Sequence, residues 1–572
     1  MIGKYRFFLG FLLLSVLILA IAVSLSAVLG EMRSARVDLT EENLYTLSES
    51  AEGILGRLKV PVQLKYYVTD REKMPTELKN LERDVRDKLR DYADASSGMI
   101  EFSIHDPSMD EELQDALLAK GIRPFQVQTV ERDERSVKRI WSAISIAYKD
   151  KPEEILPQVL PQSLMTFEYE LLSRVFRMTQ ESRPVIALYA KKPEPDPEML
   201  QAYMQMGMAP PEIPDTWASL VELLQSEHYD VRRVDLTAAS PIPAEANALL
   251  VMNPRGLDAR QSWEIANAIS RGVNTMISIQ NLEYSYEPGQ RGGFRITPNQ
   301  SSSGLESMLR DYGIVVGNMQ LFDAEHETLS IPRQSNLGGM RIQTSEPVRV
   351  PMQIAVRGEQ LNHDLAITNR IESLFYLWGT EVSIDPVTMA AGNIGSQALF
   401  TSSKKSWHKP FTPTPLTQAD VAIDGQSFDG PHPLAWLLEG IFPAPEGARP
   451  EWAKIDSLTS DEPYIQGAPG SAQLMVLGCA KLFEQPFIGG AQNAMLLLNS
   501  VDALALGGEL IGIRSRVITH RSLKPVEASG KMIYQIFTVA LVPVLIAIFG
   551  IFRMILRRKE SALYLESRKV RR

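Results

Sequence analysis

The chain has 572 residues, a formal charge of −10, and 44% hydrophobic against 22% charged content, which excludes a disordered polymer and supplies apolar material for three or so domains. Its one cysteine, Cys479, excludes an internal disulfide. The last twenty positions are strongly basic, so the rest of the chain is more acidic than the total implies, and nucleic acid is not an expected partner.

An apolar stretch at 7–29, from Phe7 to Leu29, comes first. At about 1.5 Å of rise per residue it is long enough to cross a bilayer core of about 30 Å. A cleavable signal peptide is the alternative, with Ser24-Leu25-Ser26 as its small-x-small site. Ser48 then reads as the N-cap of a short helix, with Glu49 and Glu52 in its first turn and Ala51, Leu55 and Leu58 on one face.

Strand signals at 60–68 and 99–105 alternate with helical ones at 76–92, where Leu78, Leu81, Val85 and Leu89 share a face, and at 110–120. Two further strands at 126–131 and 139–148 complete a thioredoxin-like order. No cysteine lies within it, so thiol redox chemistry is excluded. A helix at 163–180 leads to a second unit. There, strands at 184–189, 231–235, 248–252 and 275–279 alternate with helices at 216–227 and 259–271, and nearly continuous apolar strands argue a parallel, Rossmann- or flavodoxin-like sheet covered on both faces. The proline-rich insertion after Tyr189 carries Met199, Met204, Met206 and Met208, which suit either amphipathic packing or a partner contact. Beyond 320 the text becomes short strands and turns, with strands at 399–402 and 474–478, a helix at 491–504 and a last strand at 509–515.

A second apolar stretch at 532–552, from Met532 to Phe552, is also long enough to span, with Pro543 as its expected kink. It is followed by Arg553, Arg557, Arg558, Lys559, Arg568, Lys569, Arg571 and Arg572, and Lys4 and Arg6 precede the first stretch. Cytoplasmic flanks carry the excess of such residues. The expectation is therefore a two-pass protein of a bacterial inner membrane, in contact with lipid, with both termini cytoplasmic and the body periplasmic.

No Gly-x-x-x-x-Gly-Lys-Ser/Thr string occurs, so the chain lacks the phosphate cradle of a nucleotide hydrolase, and no Gly-x-Ser-x-Gly elbow or dinucleotide fingerprint occurs either. The histidines at 105, 228, 326, 363, 408, 432 and 520 show no ligand spacing, so no metal site, catalytic group or cofactor is expected. In an open parallel sheet, ligands gather beyond the carboxyl ends of the strands, which makes Tyr189, Asn253, Arg255, Gln280 and Asn281 the candidates for a ligand or partner surface; ordinary loop residues are the alternative.

Asp38-Leu39-Thr40 with Tyr45-Thr46-Leu47-Ser48, Asp106-Pro107, Phe167-Glu168-Tyr169-Glu170, Leu249-Leu250-Val251 with Asn253-Pro254, Leu399 to Ser403 with Ser406-Trp407, and Leu510-Ile511-Gly512-Ile513-Arg514 together resemble the GldG-like auxiliary components of ABC-type transport systems, a family associated with gliding motility. The sequence departs from the family at Arg271-Gly272-Val273 and over 320–398. The resemblance implies an ATP-binding subunit and a multi-spanning permease as partners, and an interaction or ligand-binding role for the central unit. The expected division is an anchor at 1–30, a thioredoxin-like domain at 31–160, a parallel α/β domain at 161–320, a mixed extension at 321–525, a second span at 526–556 and a basic tail at 557–572. The expected function is that of a non-enzymatic auxiliary subunit, either substrate-binding or partner-coupling. The alternative is an anchored envelope enzyme or scaffold.

Overall fold

The computed structural model describes residues 47–507, except 132–133, 181, 194–196, 211–212, 289–293, 338–339, 418 and 453–467, together with 547–559 except 556. One compact unit takes in the chain to Ile518 and a second the remainder from Thr519.

Strands β1 (Val62–Val68), β2 (Ile100–His105), β3 (Phe125–Glu131), β4 (Glu134–Ile140), β5 (Ser142–Ala147) and β6 (Glu154–Leu156) form the amino-terminal part of the first unit. Their main sheet runs β2-β1-β5-β6, with β1 parallel to β2 and antiparallel to β5, while β3 and β4 make a separate hairpin. Helix Leu81–Ala95 lays Val85, Leu89 and Tyr92 on the sheet, as its helical spacing requires. Helix Glu49–Gly56 joins the same core through Ala51, Ile54 and Leu55, and Ser48 caps it by accepting from the Ala51 N–H at 3.0 Å. Helix Phe167–Thr179 adds Phe167, Leu171 and Val175, and its Glu168 carboxylate accepts from the Ser48 hydroxyl at 2.6 Å.

Strands β7 (Val185–Ala190), β8 (Asp230–Arg233), β9 (Ala248–Met252) and β10 (Asn274–Ser278) are parallel. The chain then leaves that sheet through β11 (Leu282–Pro288), β12 (Phe294–Gln300), β13 (Ile314–Val316), β14 (Gln320–Asp323), β15 (His326–Leu337), β16 (Met340–Arg357), β17 (Ser373–Leu377) and β18 (Val382–Ile384). It continues with β19 (Gly395–Thr401), β20 (Ser406–Lys409), β21 (Pro433–Ile441) and β22 (Ser471–Leu477). Three of these last four return, and the large sheet has seven strands in the order β19-β21-β22-β10-β9-β7-β8. β22 is parallel to β10, whereas β21 and β19 are antiparallel, so the purely parallel unit expected from the sequence is corrected to a mixed sheet. The half-exposed pattern of β19 is that of an antiparallel edge strand, while every residue of β7 and β9 is buried, as strands covered on both faces must be.

The two faces divide by residue parity. Ile186, Leu188, Leu250, Met276 and Met475 meet helices Ala218–Ser226 and Asn493–Leu506 on one face. Ala187, Tyr189, Leu249, Ile277 and Val476 meet Ile265 and Ile269 of helix Ala259–Ser270 on the other. That helix starts at a capping box in which Asp258 accepts from the Gln261 N–H at 2.8 Å.

The bracketing transmembrane helices and the two-pass inner-membrane placement are corrected: among the described residues, no helix is long and apolar enough to cross a membrane. Of the second apolar stretch, residues 547–552 are described and helical. The stretch at 7–29, residues 532–546 and the strand expected at 509–515 lie outside the described residues.

Candidate functional site

β8 lies on one side of β7 and β9 on the other, so the strand order reverses beyond Ala190 and Met252. Tyr189 is buried there, opposite Val251, in the core beneath that surface. Asn253 follows β9 at φ 48, a left-handed conformation that its short polar side chain tolerates, and donates from Nδ2 to Glu484 at 3.3 Å. Arg255 is exposed and paired with Glu283 at 2.6 Å.

Gln280 and Asn281, placed just past β10, are buried. Gln280 Nε2 donates to the carbonyls of Leu282 at 2.7 Å, Trp378 at 2.9 Å and Leu377 at 3.3 Å, and its Oε1 accepts from the N–H groups of Ala480 and Lys481 at 3.0 and 3.2 Å. Asn281 Nδ2 donates to the Gly317 carbonyl at 2.9 Å. Both amides bracket loops together, and Gln280 has no bonding capacity left for a ligand while it does so. Asn253, Arg255 and Gln280 nevertheless share one neighbourhood, because Lys481 ion-pairs with both Glu283 and Glu484 at 3.3 and 3.0 Å. Burial opposes the Lys481 charge, and the Glu484 and Glu283 carboxylates more than offset it, so the ammonium is held above its ordinary range.

A cavity of about 370 Å³ opens beside the end of β10, with Asn281, Ser301, Ser302, Ser303, Glu306 and Arg310 among its lining residues. Burial pushes the Glu306 carboxyl up, but bonds from Ser302 and from the Ser303 N–H, each at 2.8 Å, leave it below the usual range. A larger cleft of about 670 Å³ lies at the opposite, amino end of the strands, among Arg183, Asp230, Arg232, Glu245 and Asn247.

The structure also assembles a constellation that has no sequence signal. Glu381 precedes β18, His408 sits on β20, and Asp429 and His432 lie in the loop leading into β21. The two imidazoles are 4.1 Å apart by ring centroid. Asp429 faces the outer nitrogen of each, His432 Nε2 at 3.0 Å and His408 Nδ1 at 3.3 Å. Glu381 Oε2 lies 3.6 Å from His408 Nε2 and 3.4 Å from His432 Nδ1. Burial pushes the Asp429 carboxyl up, yet its bonds to His432 and His408 bring it below its ordinary range.

The backbone beneath is closely set. The Asp429 and Gly430 N–H groups both donate to the Ser406 carbonyl, and a Cβ on Gly430 would fall 2.0 Å from Ser406 Oγ. Buried Asp323 accepts from the Ser403 N–H at 2.7 Å and fixes the turn before β20. The histidines come from separate elements, so no local spacing announces them; the nearest sequence sign is the Ser406-Trp407 pair that carries part of the resemblance.

Residues 183–500 match the family described as "ABC-type uncharacterized transport system", and residues 41–147 match a domain of unknown function. No curated protein matches. Among solved structures, the chain is similar to the mmIFT52 N-terminal domain at 12% identity, covering 56% of this chain and 97% of that one with a TM-score of 0.29. It is similar to a putative ThuA-like protein from Bacteroides uniformis ATCC 8492 at 10% identity, covering 57% and 93%, with a TM-score of 0.27.

Proposed function

Since the chain belongs to the family of ABC-type uncharacterized transport systems, whose match takes in more than half of it, we propose that it is a GldG-like, partner-coupling subunit of an ABC-type transporter. An auxiliary role in ABC transport follows from the family itself and implies association with a transporter. Hydrolysis of ATP and passage of substrate are assigned to other subunits, an ATP-binding component and a multi-spanning permease, and the chain itself is read as non-enzymatic. The sequence has no Walker-type phosphate loop with which to do the first.

The family match carries this reading, and one surface supports coupling over substrate capture. Helix Pro197–Gln205 and the residues after it leave Met204, Met206 and Met208 exposed at 63%, 58% and 51%. Methionine side chains adapt to varied partner surfaces, and they are costly to leave in water without one. The segment follows β7, on the side where the strand order reverses. Substrate binding is the second reading, favoured by the hydroxyl-lined cavity at Ser301–Ser303.

The test is affinity purification of the full chain in mild detergent, with mass spectrometry of what accompanies it. An ATP-binding subunit and a permease in fixed proportion are expected, and their loss from a Met204→Ser/Met206→Ser/Met208→Ser variant would locate the coupling surface. Recovery of the protein alone, under conditions that preserve other transporters, sinks the proposal.

A further inference from the structure

The four residues Glu381, His408, Asp429 and His432 are not needed for the coupling role, and their arrangement is independent of it. A histidine that serves as a metal ligand nearly always gives its second ring N–H to a carboxylate or carbonyl, which fixes the tautomer and aims the free lone pair. Asp429 is placed to do this for both rings at once, accepting from His432 Nε2–H and His408 Nδ1–H. The remaining nitrogens, His432 Nδ1 and His408 Nε2, then present lone pairs on the side where Glu381 Oε2 lies.

His408 is the sharper witness. Its side chain is only 8% exposed, and among the described residues its buried Nε2 has no hydrogen-bond partner, Glu381 at 3.6 Å being too far for one. A buried ring nitrogen without a partner is costly and rare. A cation between it and Glu381 would satisfy it.

The distances fit such an occupant. With ligand bonds of about 2.0–2.1 Å, a tetrahedral zinc ion separates its donors by about 3.3 Å. Glu381 Oε2 stands 3.4 and 3.6 Å from the two nitrogens, and donor atoms of the three residues all lie within 4.8 Å of one another. Two neutral imidazoles with two carboxylates carry a charge of −2, which a divalent ion cancels. We propose that Glu381 Oε2, His408 Nε2 and His432 Nδ1 ligate a divalent first-row transition ion of the zinc type, with Asp429 as the positioning residue for both imidazoles. The three protein donors leave a fourth position on the solvent side, where Glu381 and Asp429 are partly exposed, for water or an anionic oxygen ligand.

Gly317 makes room for this arrangement: a Cβ there would sit 2.9 Å from Glu381 Cγ. The ion would tie together three segments far apart in the chain, the approach to β18, strand β20 and the approach to β21. Stabilisation on binding should follow, because the unfolded chain cannot present the three donors together.

The experiment uses the full chain, stripped with chelator, equilibrated with Zn²⁺ and desalted before elemental analysis, with melting curves recorded with and without the metal. One Zn²⁺ per chain and a raised melting temperature are expected. Glu381→Gln, isosteric and partly exposed, should fold and, measured against its own metal-free melting curve, lose both effects, as should His408→Ala if it folds. Asp429→Asn should weaken binding by roughly 10–100-fold, read against its own metal-free melting curve. Cobalt(II) in place of zinc should give the strong visible bands of a tetrahedral site, absent from Glu381→Gln. If the folded wild-type chain retains no Zn²⁺, or if Glu381→Gln retains it undiminished, the proposal is overturned. The cluster would then be an imidazolium–carboxylate network.

Discussion

Asp502 lies on the buried face of helix Asn493–Leu506 and accepts a hydrogen bond from the Tyr229 hydroxyl. Burial pushes its carboxyl up to about 7, with the bond from Tyr229 and the charge of Arg177 only partly opposing the rise. An acid whose folded pKa exceeds its unfolded value of about 3.9 holds its proton in the folded state over a range where the unfolded chain has released it. Its stabilising contribution is therefore full below about pH 4 and lost as pH rises to about 7, by about 1.4 kcal/mol for each pH unit crossed. Asp502→Asn keeps an acceptor for Tyr229 and cannot ionise. Thermal melts from pH 4 to pH 8 should show wild type losing stability relative to this variant, with parallel curves above pH 7; parallel curves throughout would refute the assignment. A second position is decided by geometry. Gly304 has φ +82, and a Cβ on it would meet the Leu257 carbonyl oxygen at 2.3 Å. Gly304→Ala should destabilise by at least about 1–3 kcal/mol in urea titrations, since a strained backbone and a backbone clash add.

At the scale of elements, what was legible in the sequence was what is local. Ser48 reads as a cap because its acceptor and the Ala51 N–H lie three residues apart, and Val85 and Leu89 read as one face because a helix repeats on that scale. The return of β22 to the side of β10 has no such sign, because an apolar run such as 474–477 does not name its neighbour. The candidate site divides in the same way. The rule about strand ends places Asn253 and Arg255 after β9 and Gln280 and Asn281 after β10, but the roles of Gln280 and Asn281 as brackets depend on carbonyls some hundred and some forty residues away, and the histidine cluster on three separate elements. Gln280 joins the end of β10 to the segments at 377–378 and 480–481. Gln280→Ala would leave several buried backbone groups unpaired and should cost about 2–4 kcal/mol, measured by chemical denaturation.

For the whole molecule, helix Phe167–Thr179 is one link between two cores. Its apolar face belongs to the amino-terminal core, while Tyr169 and Arg177 both reach Glu227 at the end of the helix that covers the large sheet. Removing the charge from this link with Glu227→Gln should leave each core folded. If the coupling proposal holds, the variant should still recover transporter subunits from mild detergent, because the exposed methionine segment is elsewhere. Loss of those subunits on Glu227→Gln would move the partner surface toward this junction.

The late arrival of β22 governs how the chain can be made. Between Ser278 and Ser471 a ribosome spends about 10–40 s at about 5–20 residues per second. Throughout that interval β10 has β9 on one side and nothing on the other, an apolar edge of the kind that recruits other chains. Nascent protein should thus be exposed to chaperones and to aggregation until β22 has been made, and a chain stopped at Gly470 should accumulate in the insoluble fraction when one stopped at Gly507 does not.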